Sequence, residues 1–214
     1  MNINLIRYTL DADALCGEAA AICTDSVNTE SALRGALLSG HQSIMEHASF
    51  TFRVEGASRV LLAQLTRHRL ASFSVQSQRY CGVKPDWVVP QTIVDTGYKR
   101  DYLQMCGLCY ELMCGMIRDG VPAEDARYII PQGVICKLIV TMNARELLHF
   151  FELRCCNRAQ WEIRQMAIRM LEICRQCAPA LFADAGPACL RGPCPEGKRS
   201  CGHPMKRGDE RHDA

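Results

Sequence analysis

The chain has 214 residues, 48% of them hydrophobic and 22% charged, with 25 Lys+Arg against 23 Asp+Glu for a net charge of +2. That length suits one large domain or two small ones around a real core, and the ordinary composition excludes collagen, coiled-coil and disordered classes. The near-neutral charge is too small for the electrostatic footprint of a nucleic-acid binder, and no stretch approaches the roughly 18 apolar residues of a membrane span.

The opening Met1-Asn2-Ile3-Asn4-Leu5-Ile6-Arg7 lacks the charged, apolar and small-residue layout of a signal peptide, so the expected setting is cytoplasmic. Residues 28–39 predict a helix that Gly40 ends as a left-handed cap. Ser49-Phe-Thr-Phe-Arg-Val54 alternates as a half-buried strand does. Ser58 to Arg69 carries a helical run of Val60, Leu61, Leu62, Ala63 and Leu65, and Phe73 to Tyr80 reads as an extended polar loop. Pro85, Pro90 and Gly97 punctuate a connector. Tyr98 to Asp119 predicts a helix stopped by Gly120. Pro122 opens a short helix that Pro131 closes. Val134 to Met142 predicts a strand, after which Asn143 and Glu146 form a capping box for a helix reaching about Cys177. Irregular alternation of helices with few strands predicts α+β rather than a regular βαβ array.

The densest polar run is Arg67-His68-Arg69-Leu70-Ala71-Ser72-Phe73-Ser74-Val75-Gln76-Ser77-Gln78-Arg79-Tyr80. The cations at Arg67 to Arg69 could merely cap a helix C-terminus. Ser77, Gln78 and Arg79 are not explained that way and offer converging donors suited to an anion such as phosphate. The cation set is biased to 20 Arg over 5 Lys, the side chain for fixed, forked recognition of phosphate and carboxylate, although genome composition alone can produce that bias.

With Arg-His-Arg, a seven-residue spacer to Ser77, and then Arg79-Tyr80, the run resembles the signature of flavin-dependent thymidylate synthases. Other pieces follow in the family's order: Gly40-His41-Gln42-Ser43-Ile44-Met45-Glu46-His47, Ala126-Arg127-Tyr128-Ile129-Ile130-Pro131, and Asn143-Ala144-Arg145-Glu146-Leu147-Leu148-His149 through Arg154 to Ala159-Gln160-Trp161-Glu162. The resemblance spans roughly residues 1–185, leaving 186–214 as a Cys-, Gly- and Pro-rich tail. It implies the thymidylate synthase-complementing fold, a small antiparallel sheet covered by helices with a long C-terminal helix. It also implies methylation of dUMP to dTMP, with 5,10-methylenetetrahydrofolate as carbon donor, FAD as hydride carrier and NADPH as reductant, in a homotetramer whose sites are shared between chains.

By the same resemblance, FAD contacts fall on Ser43, Arg67, His68, Arg69, Asn143, Arg145 and His149. Nucleotide contacts fall on Gln64, Arg67, Gln76, Ser77, Gln78, Arg79, Arg127 and Arg154. Arg154 matches the catalytic residue that favours the N3-ionised uracil; always protonated, it can stabilise that charge but cannot act as a base. Ser74-Val75 departs from the Asn-Glu of many members. No metal and no cysteine nucleophile is expected. At about 100° per residue Arg145 and His149 share a helix face while Arg154 lies roughly 140° further round, so one small ligand is not expected to touch all three.

His41, Glu46 and His47 lack the spacing of a His-Glu-x-x-His zinc site. Most of the 14 cysteines sit in apolar helical context and read as small core residues. Cys177, Cys189, Cys194, Cys201 and His203 form a loose thiolate and imidazole set, with Cys189-x4-Cys194 the nearest to a metal pair; reduced thiols on a mobile tail are the favoured reading. The alternative function is a zinc-stabilised nucleic-acid-binding module using that tail with the Arg67–Arg79 segment, which the near-neutral body opposes.

Overall fold

The computed structural model of the chain describes residues 1–205; positions 206–214, the end of the expected tail, lie outside them. The elements in order are β1 (Asn2–Tyr8), α1 (Ala12–Thr24), α2 (Thr29–Leu38), a 3-10 turn (Gln42–His47), β2 (Ser49–Ser58), α3 (Arg59–Leu65), β3 (Ala71–Val75), α4 (Gln91–Asp95), α5 (Lys99–Arg118), α6 (Ala123–Ala126), a second 3-10 turn (Arg127–Ile129), β4 (Ile135–Asn143), α7 (Ala144–Arg154) and α8 (Trp161–Cys177). The four strands form one small antiparallel sheet in the order β1-β2-β4-β3. The fold is therefore α+β, as the irregular alternation predicts. No helix among the described residues is long and apolar enough to cross a membrane.

The chain divides into two compact units. One comprises Met1–Asn2, Val54–Arg67 and Phe73–Ile139; the other comprises Ile3–Arg53, His68–Ser72 and the chain from Val140 onward. In the first unit, α4, α6 and the Arg127–Ile129 turn pack on α5. Tyr102 of α5 donates its hydroxyl to the Val88 carbonyl at 3.2 Å, and Gly133 is required beside it because a Cβ there would strike the phenolic oxygen.

The second unit is built on phenylalanines. Phe50 of β2 meets Phe182 edge-on at 5.4 Å between ring centroids, Phe182 meets Phe151 at 5.9 Å, and Phe151 meets Phe150 at 5.7 Å. All four are fully buried, each contributing roughly 1.5–3 kcal/mol. The period-2 pattern of β2 and the 3.6-residue period of α7 both aim at this cluster. Helix α7 packs against α8 and against the Gln42–His47 turn. Asn143 caps α7 as expected, its Oδ1 accepting the Glu146 N–H at 2.9 Å.

Three expectations change. The helix opened by Asn143 does not run to Cys177: α7 stops at Arg154, and α8 starts at Trp161 after Gln160 Oε1 accepts the Glu162 and Ile163 N–H groups. Cys155, Cys156 and Asn157 are weak helix formers, so a side-chain cap at Gln160 wins there over helix continuation. Part of the segment read as a loop is strand β3, whose alternate residues Ala71, Phe73 and Val75 are half-buried, and the pairing continues into Gln76, whose N–H reaches the Lys137 carbonyl at 2.9 Å. The chain before Asn28, given no elements from sequence, holds β1 and α1.

Candidate functional site

In the second unit the site residues converge on one imidazole. His68 follows α3 and is only 4% exposed. Its Nδ1 donates to Glu146 Oε1 at 2.9 Å, and its Nε2 accepts from Arg154 Nε at 3.2 Å. Because Arg Nε can only donate, Nε2 must present a lone pair, which fixes the proton on Nδ1. Burial pushes the His68 pKa below its ordinary value; the Arg154 and His149 charges push the same way, against the pull of Glu146. The imidazole is accordingly neutral, joining a buried carboxylate to a guanidinium. Phe150 packs edge-on to it at 5.0 Å and His149 at 5.8 Å.

Helix α7 thus distributes its polar residues by reach as well as by angle. Arg145 turns to Glu46 of the Gln42–His47 turn, with its Nη1 donating to Glu46 Oε1. His149 and Arg154, far apart on a helical wheel, both meet His68, because the long Arg154 side chain extends to a ring lying beside the helix. Ser43, Arg69, Arg145 and His149 are exposed, and Asn143 is half-buried. Glu46 is held by Arg145, and His41 and His47 are exposed on either side of it.

In the first unit a second set gathers around Glu124 of α6. Arg79 Nη2 pairs with Glu124 Oε2 at 2.7 Å, and Arg127 Nε donates to the Glu124 carbonyl at 3.0 Å. Ser77 Oγ accepts the Arg79 N–H at 3.2 Å, and the Arg79 guanidinium lies 5.4 Å from the Tyr80 ring centroid. Ser77, Arg79 and Arg127 therefore share one neighbourhood, as an anion site requires. Gln64, Gln76 and Gln78 are half-buried in the same unit, and Arg67 is exposed at the end of α3.

The family described as "Thymidylate synthase complementing protein" matches residues 4–180. A flavin-dependent thymidylate synthase of Geobacter sulfurreducens is 47% identical, with 94% of each chain covered. Those of Nitratidesulfovibrio vulgaris and Clostridium tetani are 48% and 38% identical, covering 80% and 94% of this chain and 75% and 93% of theirs. The chain belongs to the flavin-dependent thymidylate synthase family. It is an enzyme of methyltransferase type, and the zinc-stabilised nucleic-acid module is set aside as its function.

For a member of this family the cysteines are as informative as the arginines. Burial pushes the Cys155 thiol up to about 12 and the Cys16 thiol up to about 11, and raises Cys174 as well. A thiol so protonated is a poor nucleophile, in keeping with its reading as a core residue. Sequence reasoning left two residues without a site role. The sequence gives Glu146 only a helix-cap role and offers nothing that singles out Glu124. Neither has a local signal, since Glu146 and His68 stand 78 positions apart.

Proposed function

We propose that the chain converts dUMP to dTMP, taking its carbon from 5,10-methylenetetrahydrofolate and its reducing equivalents from NADPH through FAD. The observation that carries this reading is the Glu146–His68–Arg154 chain of hydrogen bonds within a member of this family. FAD, when bound, supplies the hydride chemistry.

The donor set fits that cofactor. Exposed guanidiniums at Arg67, Arg69 and Arg145 suit a pyrophosphate, and Ser43, Asn143 and His149 add polar groups near α7; His68, buried with both ring nitrogens engaged, acts through Arg154 instead of touching the flavin. Arg79 and Arg127 hold the phosphate of dUMP, with the Ser77 hydroxyl beside them and the amides of Gln64, Gln76 and Gln78 orienting the nucleoside. Glu124 occupies Arg79 until the phosphate displaces it. Arg154 stabilises the uracil ionised at N3, because a guanidinium stays protonated where that charge develops. His68 anchors Arg154 through Nε, and Glu146 locks the tautomer that lets it do so.

Assembly as a homotetramer, with sites shared between chains, is part of this proposal. Supporting it, Met105, Leu108 and Leu112 form an apolar stripe on α5, between 50% and 59% exposed. The test is anaerobic NADPH oxidation by the flavin-loaded protein, with and without dUMP, followed by product analysis after methylenetetrahydrofolate is added. dTMP is expected only when all three are present; flavin reduction without any dTMP would overturn the reading.

A further inference from the structure

A single lone pair joins His68 to Arg154. His68 Nε2 accepts the Arg154 Nε–H at 3.2 Å, while Nδ1 is committed to Glu146 Oε1 at 2.9 Å. The ring is 4% exposed, Glu146 is 5% exposed, and Phe150 lies edge-on to the ring at 5.0 Å. Turning the ring would strip a buried carboxylate of its donor, at the cost of an unsatisfied charged group.

An added proton therefore has one place to go. Nδ1 already carries a proton, so the second enters at Nε2, and an imidazolium has two donors and no acceptor. Two cationic N–H groups then face each other where one hydrogen bond stood. The bond to Glu146 survives and strengthens, because its donor is now charged. The ring stays in place and the guanidinium is the group that must leave. Arg154 is the last residue of α7 and half-buried, so its long side chain borders solvent.

The charged and titratable groups acting on the ring are Glu146, Arg154 and His149, all on α7, with the His149 ring 5.8 Å away. Arg67 and Arg69, its neighbours in the chain, are exposed. Burial first, then the Arg154 and His149 charges, outweigh the pull of Glu146, so protonation comes below the ordinary histidine value of about 6.5.

We propose that His68 is an acid gate on Arg154: one solvent proton taken up at Nε2 breaks the Arg154 hydrogen bond, keeps the Glu146 bond and frees the guanidinium from its working position. The only covalent bond formed is N–H, and no electron moves. The gate rests on the role given to Arg154 above and adds proton control of that role.

The test uses the full chain loaded with flavin and labelled with nitrogen-15 at histidine and arginine. His68→Gln and Arg154→Lys assign the two signals. Between pH 8 and pH 5 the Arg154 Nε signal should move with the same midpoint as the His68 ring nitrogens, while Nδ1 keeps its proton. Turnover at saturating flavin, dUMP and folate should fall about tenfold per pH unit below that midpoint. His68→Gln offers Arg154 an amide oxygen that accepts at every pH, so the acid limb at that midpoint should be absent from it. Glu146→Gln, a second variant should His68→Gln not fold, removes the carboxylate's pull and should lower both midpoints together. Thermal unfolding at each pH confines the comparison to folded protein. A His68 titration that leaves Arg154 unmoved overturns the gate, as does the same acid limb in His68→Gln, a parting of the two midpoints in Glu146→Gln, or unfolding before His68 is protonated. The nitrogen titrations need no turnover: coupled midpoints without dTMP at any pH would support the gate and overturn the uracil role of Arg154 instead.

Discussion

The His68 imidazole gives its Nδ1 proton to the Glu146 carboxylate at 2.9 Å, with both side chains almost wholly buried at 3% and 7% exposure. The bond ties the stretch between α3 and β3 to the start of α7, and it leaves the opposite ring nitrogen to Arg154. A buried carboxylate is costly unless its hydrogen-bond partners are in place. Glu146 therefore constrains its neighbours more than a surface residue could. The same residue caps α7 through its N–H and orients the site through its side chain.

Replacing Glu146 separates those two roles. Glu146→Ala keeps the backbone N–H that Asn143 holds but removes the acceptor from His68, and should cost about 1–3 kcal/mol of stability. Turnover should fall further than flavin binding, because the tautomer that anchors Arg154 is no longer fixed. Thermal unfolding, flavin titration and steady-state rates on one preparation measure all three effects; unchanged turnover would remove Glu146 from the site.

Acid should destabilise the second unit through His68. Its pKa is lowered on folding, so the unfolded chain binds more protons than the folded one just below the ordinary histidine value of about 6.5. The stability from the neutral ring is complete above that value and is lost as pH falls below it, toward the lower folded pKa. The melting temperature should drop between pH 7 and pH 5, and His68→Gln should flatten that slope. An identical slope in both proteins would show that other groups carry the acid sensitivity.

Arg154→Ala should leave flavin bound and reduce turnover about 10²–10³-fold, the usual loss when a positioned charge-stabilising donor is removed. Arg154→Lys should not restore the rate, since an ammonium lacks the planar fork and the Nε–H that meets His68. Full rescue by lysine would reduce Arg154 to a point charge.

Glu124 stands against Arg79, where it would compete with the phosphate of the proposed dUMP site. The pair is about half-exposed, so breaking it should shift stability by less than about 1 kcal/mol. Glu124→Gln should tighten dUMP binding several-fold, whereas Ser77→Ala and Arg79→Ala should weaken dUMP binding more than FAD binding. Titrations of both ligands decide the order, and weaker dUMP binding by Glu124→Gln would make Glu124 a scaffold for Arg127 instead of a competitor.

Several local features are legible in the sequence. The Arg67–Tyr80 run, the Asn143 cap and the positions of β2, α5 and β4 all rest on local patterns: side-chain period, cap chemistry and Pro or Gly punctuation. The break at Cys155–Gln160 was not readable, because Cys156 and Asn157 disfavour helix too weakly to announce a stop, and the cap that decides it comes from Gln160 further along. Strand β3 is not legible because five alternating residues carry little signal without a partner strand to complete their hydrogen bonds.

By itself the sequence determined the family and the α+β class, since those depend on residue type and near-neighbour spacing. Only the tertiary structure decided what those residues hold: that Glu146 faces His68, that Arg154 and His149 meet at one ring, that Glu124 stands against Arg79, and that Cys156 rather than Cys177 joins the cysteines of the last segment. The physical reason is separation along the chain. Contacts across many tens of residues are fixed by how elements pack and by which buried polar groups must find partners, and no window of local sequence records either.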